Sequence, residues 1–242
     1  MYIYGKNVAK EKLKTDEPIA RAYISKKFKE QDIIDELKLR KVKINFVDPK
    51  ILDQKVDGLH QGIILETEEV KTATFEELLE KIDGKQNPLI VMLDHLEDPH
   101  NFGAIIRTCE ALGIDGIIIP KDRSVGITPT VIKTSAGAIS YTTIVKVSNL
   151  TSTIEKLKKY GFWIVGTDMN GTDYKNIDYN MPTCLIIGNE GHGMSNIVKN
   201  NCDFIATIPM TGQINSLNAS VSCGILLSGI IAKRSLWTNI KN

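Results

Sequence analysis

The sequence predicts an α/β protein whose C-terminal part contains a mainly parallel sheet covered by helices. Short apolar runs alternate with amphipathic helical stretches along most of the 242 residues, which is typical of such a sheet. Leu89–Leu93 is a continuous apolar run, as expected of a parallel strand that is buried on both faces. The hydrophobic content of 42% and the charged content of 24% indicate a globular protein and exclude a disordered chain.

The pattern divides the chain into three segments: a small α/β unit at residues 1–66, a linker at residues 67–87, and a second α/β domain at residues 88–242. In the linker, Thr74 and Glu77 form a capping-box pattern, which predicts a short helix over Phe75–Asp83. In the first unit we expect strands at Ala20–Ser25, Lys43–Val47 and Gly62–Glu66, and a helix at Lys29–Arg40.

The second domain continues the alternation of strands and helices. Glycines at 113 and 161 follow two of its helical stretches, which is the usual position of a helix C-cap. The expected helices are Phe102–Leu112, Thr151–Tyr160 and a long one from Leu217 to Leu236. The expected strands are Leu89–Leu93, Gly116–Ile119, Ile144–Val147, Phe162–Gly166, Cys184–Gly188 and Phe204–Ile208.

The formal net charge is only +1, but the charge is unevenly distributed. Residues 1–60 carry 14 Lys and Arg against 10 Asp and Glu, residues 61–100 carry 3 against 10, and residues 101–242 carry 13 against 9. Two mildly basic parts therefore flank an acidic middle. This leaves room for a polyanionic partner, although solvated surface charge explains it equally well.

Several classes of protein are excluded by what the sequence lacks. No apolar run reaches the ~18 residues of a membrane helix, and the first residues contain no apolar signal-peptide core. None of the four cysteines belongs to a Cys-x-x-Cys pair and the four histidines are scattered, so we expect reduced thiols and no metal site. The prediction is a cytoplasmic protein that binds neither membrane nor metal.

Three polar loops follow predicted strands, where ligands bind in open α/β sheets. The first, Leu93–Thr108, contains Asn101 and Arg107. Asn101 stands where a helix N-cap is expected. Arg107 comes nearly two turns later in an otherwise apolar helix, so it needs a partner unless it reaches water at the edge of the sheet.

The second loop, Gly188–Ser195, leads a buried strand into a glycine-rich turn with one carboxylate, Glu190. Its glycines allow the backbone to approach a ligand closely. The sequence matches neither a Walker loop nor Gly-x-Gly-x-x-Gly, which argues against those phosphate sites. Taken alone, it is equally an ordinary turn.

The third loop, Ile208–Ser222, joins a strand to the last helix. Ser216, Asn218 and Ser220 crowd the start of that helix. They can cap it, and a helix start is also a good anion site.

Together the three loops resemble the three motifs of the SpoU/TrmH methyltransferases, a family of the SPOUT superfamily. The matching patterns are Asn-x5-Arg, Gly-Asn-Glu-Gly-x-Gly and Ile-Pro-Met-x-Gly-x3-Ser-Leu-Asn-x-Ser, in this order from Pro88 onwards. The first unit is similar to the RNA-binding domain of the RlmB-type subgroup, the 23S ribosomal RNA guanosine 2'-O-methyltransferases. That similarity lies in Tyr4-Gly5 and His60-Gln61-Gly62-Ile63.

The resemblance implies S-adenosylmethionine as cofactor, a ribose 2'-hydroxyl of RNA as substrate, a deep C-terminal trefoil knot, and a homodimer with its sites near the interface. The family's cofactor-binding positions correspond to Gly188, Ile208 and Leu217, and Thr167 and Met210 are expected to line the same pocket.

The resemblance also implies the catalytic residues. Arg107 corresponds to the family's catalytic arginine. Because arginine stays protonated in proteins, we interpret it as an electrostatic stabiliser of the developing alkoxide, not as a base. Asn101 is expected to position it, Glu190 to orient Arg107 or the loop, and Ser216 and Asn218 to hold the ribose-phosphate or the knot.

Three alternatives remain. A tRNA 2'-O-methyltransferase shares the chemistry but usually lacks a separate N-terminal domain, so the first 66 residues favour a guanosine of ribosomal RNA. A non-catalytic RNA-binding module would tolerate loss of the motif residues, which are all present. A nicotinamide dehydrogenase is disfavoured because its phosphate fingerprint is absent.

Overall fold

The computed structural model describes residues 1–15, 18–67, 70–213 and 216–240. The chain forms two compact units, Met1–Lys71 and Thr72–Asn242. In the described ranges no helix is long and apolar enough to cross a membrane. The same ranges contain no group of three or more His, Cys, Asp or Glu residues arranged to hold a metal ion.

The first unit is a four-stranded mixed sheet with strand order β1-β4-β2-β3. Strands β2 and β3 are parallel, and β4 runs antiparallel to both β1 and β2. Its strands are β1 (Tyr2–Tyr4), β2 (Ile19–Ser25), β3 (Lys43–Val47) and β4 (Ile63–Thr67), and its helices are α1 (Lys6–Lys12), α2 (Gln31–Leu39) and α3 (Pro49–Lys55). The three predicted strands and the predicted helix are present, whereas β1, α1 and α3 were not expected.

The second unit contains a six-stranded sheet in the order β10-β8-β9-β5-β6-β7. Every pair in it is parallel, which confirms the predicted fold class. The strands are β5 (Leu89–Asp94), β6 (Gly116–Pro120), β7 (Ile144–Val147), β8 (Trp163–Asp173), β9 (Thr183–Gly188) and β10 (Phe204–Thr207). The helices are α4 (Phe75–Ile82), α5 (Pro99–Ala111), α6 (Pro129–Thr134), α7 (Leu150–Lys159), α8 (Asn196–Asn200) and α9 (Ala219–Ile240).

The order in which the chain adds strands to the sheet reverses between β5 and β9. From β5 the chain builds outwards through β6 and β7, and the later strands β8, β9 and β10 lie on the other side of β5. A reversal of this kind opens a crevice at the carboxyl ends of the two adjacent strands, and ligands bind there in open α/β folds. Asp94 and Gly188 are paired at those two ends.

The core of the second unit includes the helix that was expected in the linker. Phe75, Leu78 and Ile82 of α4 are buried in one cluster with residues of β5, β7, β8 and β9. Just before α4, Ala73 forms a bridge to Val145 of β7. Residues 72–87 are therefore packed as part of the second unit.

Helix α5 begins earlier than expected. Its N-cap is Asp98, whose side chain accepts a hydrogen bond from the His100 N–H at 2.9 Å, and Pro99 occupies the first turn. Proline suits that position because its fixed φ is helical and its missing N–H would have no partner there. The prediction of Asn101 as N-cap is therefore wrong, and the Asn101 side chain is available for other contacts.

Candidate active site

A cleft of about 410 Å³ lies beside the middle of β8 and the carboxyl ends of β9 and β10. Its walls come from residues 167–169 of β8, from the loops that follow β9 and β10, and from α9. This size is within the range of small-molecule sites. Its lining includes all five residues expected to bind the cofactor and two of those expected to be catalytic: Thr167, Gly188, Ile208, Met210, Leu217, Glu190 and Ser216.

Gly188 lets two backbone segments touch at the wall of the cleft. A Cβ atom on residue 188 would lie 2.4 Å from the carbonyl carbon of Gly193 and 2.5 Å from the backbone nitrogen of Met194. The turn between them closes on itself, since Asn189 N–H donates to the Gly193 oxygen at 3.0 Å and Gly193 N–H donates back at 2.8 Å. Position 188 therefore requires glycine for steric reasons.

Three residues that are far apart in the sequence meet beside this turn. The Asn101 amide donates to Asp98 Oδ2 at 2.9 Å and to Glu190 Oε1. The Asn101 oxygen accepts from Asn218 Nδ2 at 2.8 Å. The Asn218 oxygen in turn accepts from the Ser220 N–H at 2.9 Å at the start of α9. One residue from each motif is thus joined in a hydrogen-bonded chain, with Glu190 lining the cleft.

The charge at the start of α5 is stabilised by the same contacts. Hydrogen bonds from the Asn101 side chain and from the His100 N–H lower the pKa of Asp98. The depressed pKa means that this carboxylate stabilises the fold above the ordinary pKa of aspartate. That contribution is lost as the pH falls through the lowered value.

The sequence left two environments open for Arg107, a contact with a partner or exposure to water, and the structure shows the second. Its side chain is exposed on α5, it is not among the residues that line the cleft, and within the described ranges it has no hydrogen-bond or ion-pair partner. Water hydrates an exposed guanidinium, so no protein partner is required.

One residue of the cleft wall, Asp168, belongs to none of the three sequence motifs. Asp168, directly after Thr167, lines the cleft, and its carboxylate accepts from Lys199 Nζ at 2.7 Å. This hydrogen bond lowers the pKa of Asp168. The only signal for Asp168 in the sequence was its place just beyond a buried strand, where many residues have no function.

Two family models match the chain. Residues 88–228 match the SpoU rRNA Methylase family. Residues 2–73 match the model described as RNA 2'-O ribose methyltransferase substrate binding. The chain belongs to the SpoU methylase family. It is therefore an RNA methyltransferase whose cofactor is S-adenosylmethionine.

Individual relatives agree with this membership. One relative is YacO of Bacillus subtilis, which is named as a TrmH family tRNA/rRNA methyltransferase. It is 42% identical over 239 residues, and the match covers 97% of this chain and 96% of the YacO chain. One solved structure is that of the SpoU methyltransferase AviRb of Streptomyces viridochromogenes in complex with its cofactor AdoMet. It superposes on this chain with a TM-score of 0.78 at 25% identity, and the match covers 97% of this chain and 90% of the AviRb chain. The structure of the TrmH/SpoU tRNA modifying enzyme of A. aeolicus is 32% identical in sequence, with a TM-score of 0.58. That match covers 67% of this chain and 83% of the A. aeolicus chain.

The residues of the cleft fit S-adenosylmethionine. Gly188, Gly191 and Gly193 line the cleft with backbone alone, and backbone N–H and C=O groups can bind the polar parts of a nucleoside. Met210 and Leu217 line the same cleft and are 37% and 40% exposed, so apolar surface is present for the remainder of the ligand. Small-molecule sites are usually lined by apolar groups with a few polar ones, and this cleft has both.

A single added methyl group at residue 188 tests this arrangement. In Gly188→Ala the backbone of residues 193 and 194 must shift. We expect affinity for S-adenosylhomocysteine to fall roughly tenfold to a hundredfold, the equivalent of the ~1–3 kcal/mol that overpacking costs. Isothermal titration calorimetry measures this directly.

The control is Gly191→Ala in the same turn, because the nearest atom to a Cβ there is Asn189 Oδ1 at 3.5 Å. We expect that variant to bind almost as tightly as the native protein. An equal loss in both variants would show that turn flexibility, and not the contact at residue 188, determines affinity.

Proposed function

We propose that this enzyme transfers the methyl group of S-adenosylmethionine to a ribose 2'-hydroxyl, at a guanosine of 23S ribosomal RNA. The observation that carries this proposal is the hydrogen-bonded chain Glu190–Asn101–Asn218 beside the cleft, in which Asn101 is bonded to both of the other residues. Its polar groups can meet a ribose and its phosphate at the point where Glu190 lines the cofactor cleft.

The N-terminal unit supports ribosomal RNA over tRNA. It folds as a separate compact unit, and the tRNA modifying enzyme described above corresponds to only 67% of this chain. After β2, Lys26, Lys27 and Lys29 are exposed on one short turn. Lysines of this kind bind RNA phosphates.

The roles of the residues follow from charge and position. Gly188, Ile208, Leu217, Thr167 and Met210 hold the cofactor, which supplies an electrophilic methyl group. Holding donor and acceptor in line lowers the barrier.

The remaining groups act on the RNA. The Arg107 guanidinium stabilises negative charge on the attacking oxygen and does not act as the base. Asn101 and Glu190 position the ribose and the turn, and Ser216 and Asn218 hold the ribose-phosphate. This assignment requires the exposed Arg107 to be brought to the reacting oxygen by the RNA or by a second chain.

We include a homodimer and a knotted C-terminus in the proposal. Val221 at the start of α9 is 48% exposed, as is suitable for a subunit contact, and the exposed Arg107 can then complete a site near the interface. For the knot, the support is that residues 167–169 of β8 and the loops after β9 and β10 converge on one cleft.

Methyl transfer tests the substrate. The purified enzyme is incubated with labelled S-adenosylmethionine and either unmodified large-subunit ribosomal RNA or unmodified bulk tRNA. We expect label in ribosomal RNA, with one linkage that resists alkali because its 2'-oxygen is blocked. Label in tRNA alone would replace the substrate. Absence of label together with absence of S-adenosylhomocysteine binding would favour the non-catalytic module.

Arg107→Lys tests the proposed role of the guanidinium. Lysine keeps the charge but loses the planar fork, so we expect turnover to fall about a hundredfold, the typical effect of removing one transition-state donor. S-adenosylhomocysteine affinity should stay unchanged. The exposed Lys159→Ala on α7 serves as the control. Near-native turnover of Arg107→Lys would contradict the role.

A further inference from the structure

His95 lies at the reversal point of the sheet, next to the cofactor cleft. It directly follows Asp94, the last residue of β5, which is paired with Gly188 of β9. The His95 carbonyl oxygen accepts a hydrogen bond from the Asn189 side chain at 2.9 Å. Asn189 lines the cleft but His95 does not, so the histidine is one residue outside the wall.

The backbone of His95 is in a conformation that disfavours a side chain. Its φ is +57°, in the left-handed region that glycine adopts without steric cost. A residue other than glycine that is held there by its surroundings is a reason to look for a function of its side chain.

The orientation of the imidazole ring is fixed by a hydrogen bond to Asp94. Its Nδ1 lies 2.5 Å from Asp94 Oδ1. The other Asp94 oxygen accepts from the Ser195 N–H at 2.7 Å and from the Ser195 hydroxyl at 2.9 Å. The Asp94 side chain is only 1% exposed, so these bonds determine its orientation and, through it, that of the ring.

The free edge of the ring presents a hydrogen-bond acceptor. A carboxylate accepts hydrogen bonds, so Nδ1 carries the hydrogen and Nε2 of the neutral ring has its lone pair available. The His95 side chain is 30% exposed, and Nε2 has no partner within the described residues. On RNA the donors that complement it are base N–H groups and the ribose 2'-hydroxyl, and the 2'-hydroxyl is present at every nucleotide.

We propose that His95 Nε2 accepts a hydrogen bond from a ribose 2'-hydroxyl of a nucleotide that flanks the methylated one. The reacting oxygen must face the cleft, and His95 is outside the cleft wall, so it meets a neighbouring ribose. This contact distinguishes RNA from DNA, since only RNA carries the 2'-hydroxyl. The inference rests on the proposed function and adds a specificity determinant to it.

Single-atom changes in the RNA test the contact. The probe is a synthetic hairpin centred on the nucleotide that takes label in the methyl-transfer assay, with single 2'-deoxy substitutions at each nucleotide within two of it. Dissociation constants are measured by fluorescence anisotropy with S-adenosylhomocysteine present. For the native enzyme we expect one substitution to weaken binding about fivefold, as loss of one neutral hydrogen bond does.

Two variants then remove the imidazole without straining the backbone. His95→Gly and His95→Asn both suit a positive φ. We expect each to bind the all-ribose hairpin about fivefold more weakly and to be insensitive to the deoxy substitution that affects the native enzyme. His100→Ala, at an exposed histidine in the first turn of α5, should keep the native sensitivity.

The outcomes separate this inference from the proposed function. If the enzyme methylates RNA but no single deoxy substitution weakens binding, the inference about His95 is overturned and the proposed function stands. The same holds if His95→Gly is as sensitive to the deoxy substitution as the native enzyme. Absence of label from both RNAs overturns the proposed function and this inference with it. Label in tRNA alone overturns the ribosomal RNA substrate of the proposed function, and the His95 contact is then confirmed or overturned by the same deoxy substitutions in the labelled tRNA hairpin.

Discussion

The contact between Gly188 and the Gly193–Met194 peptide is the constraint on which the site depends. Because no side chain separates the two segments, the turn between them closes tightly, and residues 188–193 of this turn line the cleft. The same turn carries Glu190 to the Asn101 amide and the backbone of Ser195 to Asp94. One steric requirement therefore positions the wall of the cleft and the groups beside it.

The hydrogen-bonded chain of Asn101, Glu190 and Asn218 joins parts of the sequence that fold as separate helices and loops. Asn101 is in the first turn of α5, and Asn218 caps α9. Packing of α9 is supported from its other end, where Arg234 donates to the backbone oxygens of Tyr179 and Met181. The buried Asn101 side chain uses its amide hydrogens and its oxygen in these contacts, and it thereby fixes the positions of its two exposed partners, Glu190 and Asn218.

The sequence predicted the central strands well because burial on both faces makes them continuously apolar, as in Leu89–Asp94. It failed at short elements such as α3, whose seven residues carry too little periodicity to be recognised. The start of α5 was misplaced because Asp98-Pro99 is itself a strong helix start, and it competes with Asn101 for that role. The motif resemblance identified the residues around the cleft, but Asp168 and the exposure of Arg107 depend on tertiary packing that no local pattern encodes.

The position of the bound cofactor product tests the central claim most directly. A crystal structure with S-adenosylhomocysteine should show the ligand in the cleft against Gly188, Ile208 and Leu217, with the hydrogen bonds from Asn101 to Glu190 and from Asn218 to Asn101 retained. A ligand bound at another place, or a cleft that admits it only by breaking those bonds, would contradict the account.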